Sequence, residues 1–370
     1  MFTHSQHLEN WLGKEAVAEM SSSMRNWYGP PIAIQGVPGN VVACAGGDFH
    51  GKILAGSEVS ATERAETLLK KSEKARRLHV ALRMKQAGMA GFTSLSDLQA
   101  EAKAGKREDF SFYKTMPTGV TGVFSSCWGI GPLPAAGANA AAAPGGESPT
   151  STTTGAFPMA AVSTDTRHFV YGESSNSLPD KSMLMYDRIF QVNTTMNSTA
   201  TEAVTGVPTR YQSITVTDPN YIGGNFLFVE VGGTALAATA HNWTVCTYLD
   251  QANAASTLPS ITGNSGAIVR RLDHPASQWF APLEAGDTGI KALTQMQCSA
   301  LVATGVINFV IGHPLAYMPH SAANLVCMVD GIITSFNLVR IFDNAAIAFL
   351  SLNGQSAASN ITGKFTTVAG

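Results

Sequence analysis

Ala300-Leu-Val-Ala-Thr-Gly-Val-Ile-Asn-Phe-Val-Ile-Gly-His-Pro-Leu-Ala-Tyr-Met318 is the most apolar stretch of the 370-residue chain. A membrane-crossing helix needs about 20 mostly apolar residues. Here Gly305, Asn308, His313 and Pro314 interrupt the run, which suits strands and turns better than one long helix. Gly305–Ile311 is a β-branched and aromatic segment bounded by glycines, so we expect a buried strand. The same texture spreads from Ala156 onward, with strands expected at Arg210–Thr217, Asn225–Val231, Asn242–Leu249, Gly289–Ser299 and Asn324–Val329. Turns rich in Gly, Pro, Asn and Asp separate them. Phe226, Phe228, Trp243, Tyr248, Trp279 and Phe309 supply large side chains for a core.

Towards the N-terminus the pattern changes. A short helix is expected around Leu8–Met20, followed by an extended hairpin over Ile32–Leu54. Ala61–Ala87 follows, with Ser60 as N-cap and Gly88 as stop. Ala61, Ala65, Leu68, Ser72, Ala75, His79 and Leu82 recur at steps of four and three, which is one helical face. Lys70, Lys71, Lys74, Arg77 and Lys85 lie opposite, among Glu63, Glu66 and Glu73. That mixture reads as a solvated or intersubunit face, not a nucleic-acid patch. A second short helix starts at Ser94-Leu-Ser-Asp97, which resembles a capping box, and stops at Gly105. Residues Gly129–Gly155 are low in complexity and bury little, so they read as a linker or surface-hugging arm. The chain divides into an arm and hairpin (1–57), a helical segment (58–128), that linker (129–155) and a β-rich domain (156–370). Near the end, Asn344–Leu352 is expected to be helical, capped by Asp343 and stopped at Asn353-Gly354. The polar tail Ser356–Gly370 is expected to pair with a neighbouring subunit.

Composition narrows the function. Charged residues make up only 14% of the chain, against about 25% in ordinary domains. Residues 1–114 carry 15 Lys/Arg and 12 Asp/Glu, leaving nine and 14 for residues 115–370. A net charge of −2 gives no reason to expect a nucleic-acid binder. Cys44, Cys127, Cys246, Cys298 and Cys327 are odd in number and widely spaced, which argues against a disulfide scaffold and against a zinc knuckle. Buried free thiols made in a reducing cytoplasm fit better. The first ten residues have neither a basic nor an apolar signal region, so no secretory targeting is expected.

Candidate chemistry thins out quickly. Asp287-Thr-Gly289 matches the aspartic-protease triplet, but that chemistry needs two carboxylates sharing a proton, and no second triplet occurs. His274, His313 and His320 sit beside prolines without metal-ligand spacing. His4 and His7 lie three apart near the terminus. Gly263-Asn-Ser-Gly266 lacks the residues of a nucleophile elbow or a phosphate loop. Gly129-Ile-Gly131 runs into Pro132 and cannot open a dinucleotide-binding helix. No catalytic, cofactor or metal residue is assigned, and no enzyme is expected.

Leu184-Met-Tyr-Asp-Arg-Ile-Phe190 and Thr194-Thr-Met-Asn-Ser-Thr-Ala-Thr-Glu-Ala-Val-Thr-Gly-Val-Pro-Thr-Arg-Tyr211 resemble structural proteins of tailed-bacteriophage virions. Trp279-Phe-Ala-Pro-Leu-Glu-Ala-Gly-Asp-Thr-Gly-Ile290 does so too, and the similarity covers most of residues 180–320. The resemblance implies a self-assembling capsid subunit located in the virion and made in the host cytoplasm. It implies an α+β, β-rich HK97-like fold, in which 1–30 is the arm, 31–57 the extended hairpin loop and 61–87 the long spine helix. It implies copies of the chain as partners (hexamers, pentamers or trimers), other virion proteins, packaged DNA only by weak non-specific contact, and no membrane. A head-decoration or cement protein with a β-sandwich or jelly-roll fold is the alternative. A carbohydrate-binding β-domain is a second alternative, with Trp243, Tyr248 and Trp279 as its aromatic platform.

Overall fold

A computed structural model describes Phe92 and residues 94–370, apart from 163–164, 180, 197, 217, 276–277 and 333–337. The expected helices at 8–20 and 61–87 and the hairpin at 32–54 lie outside the described residues.

The described chain opens with α1 (Leu95–Glu101), where Ser94 Oγ accepts the Asp97 amide at 3.1 Å, as the capping pattern predicts. The following π-turn (Ala102–Lys106) contains Gly105, whose φ of 88° lies in the left-handed region that favours glycine and breaks the helix before β1. The chain then turns into β1 (Arg107–Met116), inside the segment expected to be helical. Phe110, Phe112, Lys114 and Met116 alternate inward there, a period of two that is visible in the sequence.

Sixteen strands follow one another among the described residues. After β1 come β2 (Phe124–Ser126), β3 (Pro132–Leu133), β4 (Arg167–Asn176), β5 (Lys181–Thr195), β6 (Glu202–Ala203), β7 (Phe226–Val231) and β8 (Asn242–Asp250). Then come β9 (Ala255–Thr257), β10 (Ile261–Thr262), β11 (Ile290–Cys298), β12 (Val306–His320) and β13 (Cys327–Asp330). β14 (Arg340–Ile341), β15 (Ile347–Leu352) and β16 (Ser359–Ala369) complete the chain. They form three antiparallel sheets.

The middle sheet has the order β2-β15-β5-β12-β7. Its two edges are joined by residues 270–273. On one side the Ser126 amide donates to Arg270 O and the Leu272 amide to Phe124 O, at 2.8 and 3.0 Å. On the other, the Val231 and Asp273 amides donate to Arg271 O and Val229 O, both at 2.8 Å. The sheet therefore closes into a barrel. Phe124, Leu184, Tyr186, Phe226, Phe228, Val310, Ala348 and Leu350 belong to the apolar cluster that fills it.

The two long strands carry one irregularity each. Ile189 in β5 and Leu315 in β12 have no partner in the ladder, and each bulge moves the following residues to the opposite face. Met183 and Met185 before the bulge and Phe190 and Val192 after it thus both point out of the barrel. The sheet β13-β4-β16-β1-β3, with β14 beside β4, packs on the first half of this outer wall through Phe110, Phe112, Phe169 and Phe365. The sheet β10-β8-β11-β6, with β9 beside β8, packs on the second half through Trp243, Tyr248, Ile290 and Leu293. Phe157 sits at the first junction, with ring centroids of Phe110, Phe112, Phe349 and Phe365 between 4.9 and 6.4 Å away.

These findings correct several expectations. The described residues form a β-rich, three-sheet architecture with one short helical segment, and no long spine helix occurs among them. The HK97-like fold is therefore withdrawn. A two-sheet sandwich or jelly roll also gives way, because the middle sheet closes on itself. Asn344–Leu352 is not a helix. Its alanines and Ile347, Phe349 and Leu350 are buried on both faces between β5 and β2, and sheet packing overrides alanine's helix propensity.

The tail is not offered to a neighbour. β16 pairs with β1 on one side and β4 on the other, within its own chain. Residues 129–155 also find their partners within the chain. Ala142 bridges Asn193, Glu147 bridges Gln191, and the Trp128 indole N–H donates to Ala138 O at 3.1 Å. Gly137 lies so close to that indole that a Cβ would fall 2.4 Å from its nitrogen. The expected strand at Arg210–Thr217 is a loop over its described residues 210–216, in which Tyr211 takes a φ of 51° and its amide donates to Asn220 Oδ1 at 2.7 Å. β12 runs beyond Ile311, because Leu315 bulges beside Pro314 and relieves the ladder of the missing N–H.

Candidate functional site

The densest polar constellation lies inside the barrel. Arg188 and Glu230 are both fully buried, with Nη2 donating to Oε1 at 2.6 Å and Nη1 to Oε2 at 3.3 Å. Asn308 Nδ2 donates to the same carboxylate at 3.0 Å, and Arg188 Nε donates to Gln191 Oε1 at 2.5 Å. Gln191 in turn donates to Glu147 on the covering segment. The guanidinium also lies over the Trp128 ring, 4.9 Å from its centroid. Burial alone would raise the Glu230 pKa, but the adjacent Arg188 charge holds it below the usual carboxylate range. No group in this network is left for chemistry, since each polar arm is held by another.

Neighbouring positions on β5 point to opposite faces, and Asp187 uses this. Its carboxylate lies outside the barrel, where Arg210 Nε and Nη2 donate to it at 2.8 and 2.7 Å. The Ala346 amide donates to it at 2.9 Å, tying β15 to the pair. Asp187 and Arg210 come from the separate stretches 184–190 and 194–211, which meet in space as a structural clamp.

A third cluster joins β8 to residues 263–274. Asp273 accepts from His241 Nε2 at 2.9 Å, from Trp243 Nε1 at 2.8 Å and from the Asn264 amide at 2.5 Å. His241 Nδ1 faces Thr239 O at 3.0 Å. Both ring nitrogens are set against acceptors, an arrangement that favours the imidazolium form. Burial works against that charge, but the Asp273 carboxylate outweighs it and raises the His241 pKa. Gly263-Asn-Ser-Gly266, rejected as a catalytic motif, packs here. A Cβ on Gly263 would sit 2.2 Å from His241 Nε2, so only glycine fits.

The remaining sequence candidates are also structural. Asp287 closes a turn by accepting the Tyr248 hydroxyl at 2.5 Å, while Gln251 Oε1 accepts the Thr288 and Gly289 amides. His274, buried with a pKa lowered to about 4, accepts the Val229 amide at 2.7 Å. His313, lowered by burial to about 3, stacks on Tyr211 with centroids 3.8 Å apart. His320 pairs with Ser174 Oγ at 2.8 Å. These three histidines do not converge, and among the described residues no group of three His, Cys, Asp or Glu is placed to hold a metal. Cys246 and Cys298 are buried thiols, with Cys246 pushed up to about 12 by burial, and Cys127 is buried with its Sγ 3.5 Å from Met116 Sδ. Gly129-Ile-Gly131 leads into β3. His4, His7, Cys44 and the lysine cluster at 70–85 lie outside the described residues.

Trp243 and Tyr248 are core residues, 2% and 0% exposed, so they form no aromatic platform. Trp279 is half-buried against Phe226. The sequence reading missed Lys114, whose ammonium donates to Ile130 O and Pro134 O at 2.6 and 2.8 Å and whose pKa burial lowers to about 8. Its place in the inward row of β1 was the available signal.

Large apolar side chains are nonetheless displayed on the surface. Leu325, Val326 and Met328 are 53%, 50% and 65% exposed, three of four consecutive residues entering edge strand β13. No helix among the described residues is long and apolar enough to cross a membrane. No protein-family model matches the chain, and no curated protein matches it.

Proposed function

We propose that this chain is a structural component of a tailed-bacteriophage virion that works by associating with copies of itself and with other virion proteins. Its β-rich architecture fits the head-decoration class, or another β-built virion part, in place of a shell subunit with a spine helix. One observation carries the reading: the buried charges brace the fold, while a run of apolar side chains is displayed along a sheet edge. Monomeric proteins normally do the reverse, and exposed apolar patches mark contact surfaces. The resemblance of residues 180–320 to virion proteins adds the class of assembly. A glycan-binding role loses support, because two of its three aromatic candidates are core residues.

Light scattering with negative-stain imaging of the same fraction tests this. Rings, trimers or larger arrays that grow with concentration are the expected result. A monomer at every concentration would overturn the proposal.

A further inference from the structure

We propose that residues 270–273 are a strained seam in the barrel wall, latched shut by His241 through Asp273, and that the seam opens locally when the His241 ring loses its proton. Little backbone pairing holds the seam. One bridge, Ser125 with Arg271, ties it to β2, and one, Glu230 with Leu272, ties it to β7. β5 and β12, by contrast, pair along nearly their whole length.

The seam carries three costs. Arg270 takes a φ of 75°, in the left-handed region that a residue with a Cβ seldom adopts. Its buried Nη1 has no hydrogen-bond partner, and neither has the buried Nε of Arg271. Burial lowers the pKa of both arginines; at Arg270 the Glu230 carboxylate works against this and the Arg188 charge works with it. Opening returns these groups to water. Leu272, which has no exposed surface, pulls the other way.

Asp273 supplies the rest of the hold. Its Oδ2 takes the His241 and Trp243 N–H groups, and its Oδ1 takes the Asn264 amide. Asn264 Nδ2 donates to Leu272 O at 2.9 Å and to His274 O, so the loop at 263–266 is folded onto the end of the seam. His241 is the member of this set whose contacts depend on a proton. Charged, the ring donates to Asp273 and to Thr239 O at once. Neutral, it keeps a single N–H, and a bare nitrogen then faces one of those two acceptors.

Among the described residues, Asp273 is the one charged group acting on His241. His274 and Cys298, the other titratable groups that face Asp273, are kept neutral by burial. Burial opposes the His241 charge, but Asp273 outweighs it and raises the pKa. The latch is therefore closed below about pH 6.5 and released as pH rises through the folded value.

Hydrogen exchange of the full chain tests this, read by mass spectrometry on peptides covering 262–275 and, as the core reference, 184–192, with each rate corrected for its intrinsic value at that pH. The Arg270, Leu272 and Asp273 amides should exchange faster than those of β5 and with little dependence on low denaturant, which marks a local opening. Between about pH 5.5 and about pH 8.5 their protection should fall about tenfold in wild type. In His241→Gln, which can donate to Asp273 but carries no charge, that step should vanish. Arg271→Met, which removes one orphaned N–H and leaves the latch in place, should raise seam protection about threefold. Seam amides that share the protection and denaturant slope of β5 open only with the whole fold, and they overturn the proposal. So does a pH step that survives in His241→Gln, or seam protection in Arg271→Met at or below that of wild type. Should His241→Gln fail to fold, the wild-type pH series and Arg271→Met decide the matter.

Discussion

The inside of the barrel and the β13 edge invert the usual placement of side chains. Arg188 and Glu230 have no exposure at all, whereas Leu325, Val326 and Met328 keep half or more of their surface in water. The interior pair is tolerable because it is bidentate and every arm is held, which offsets desolvation. Among the described residues the apolar run has no such compensation. Buried charge thus braces the single molecule, and under the proposed function the apolar run serves contact with another.

The largest test of that comparison is Glu230→Ala. It leaves the Arg188 guanidinium buried without its counter-charge, and we expect a loss of about 3–5 kcal/mol in chemical denaturation. A loss below about 1 kcal/mol would mean that the interior pair is not a brace. Trp243→Phe keeps the ring but removes the N–H that Asp273 accepts, at an expected cost of about 1–3 kcal/mol.

The His241–Asp273 pair adds a pH dependence. The folded His241 pKa lies above its ordinary value, so its stabilisation is complete below about pH 6.5 and is lost as pH rises through the folded pKa. Asp273, held low despite burial by His241 and its other donors, loses its share only as the medium turns strongly acidic. Melting temperatures across pH 5–9 should therefore fall on the alkaline side in wild type and flatten there in His241→Gln. An unchanged slope in that variant would remove His241 from the account. At the small end, Met328→Lys should change stability by less than about 0.5 kcal/mol, since the side chain is exposed. A larger loss would place Met328 in the core and not at a contact.

Legibility followed local chemistry. The Ser94 cap, the Gly105 stop and strands β7, β8 and β11 were readable because their signals lie within a few residues of one another. The failures were of a different kind. Asn344–Leu352, expected as a helix, has good helix formers, and only its position between β5 and β2 makes Ile347–Leu352 a strand. The tail was too polar and small to suggest a core strand, yet β1 and β4 flank it on both sides. β1 itself was legible by alternation and was passed over in favour of a helical segment. The roles of Asp287 as a turn lock and of His274 as an amide acceptor needed coordinates.

The amino-acid sequence alone determined a charge-poor, β-rich chain, its caps and turns, and the large aromatics that fill its core. Those properties follow from side-chain volume, backbone preference and spacing, which act over short distances. The tertiary structure decided that residues 270–273 close the middle sheet, that Ile189 and Leu315 flip its long strands, and that Asp187 meets Arg210. These depend on backbone hydrogen bonds and ion pairs between residues far apart in the chain, and no local pattern encodes which partners will meet.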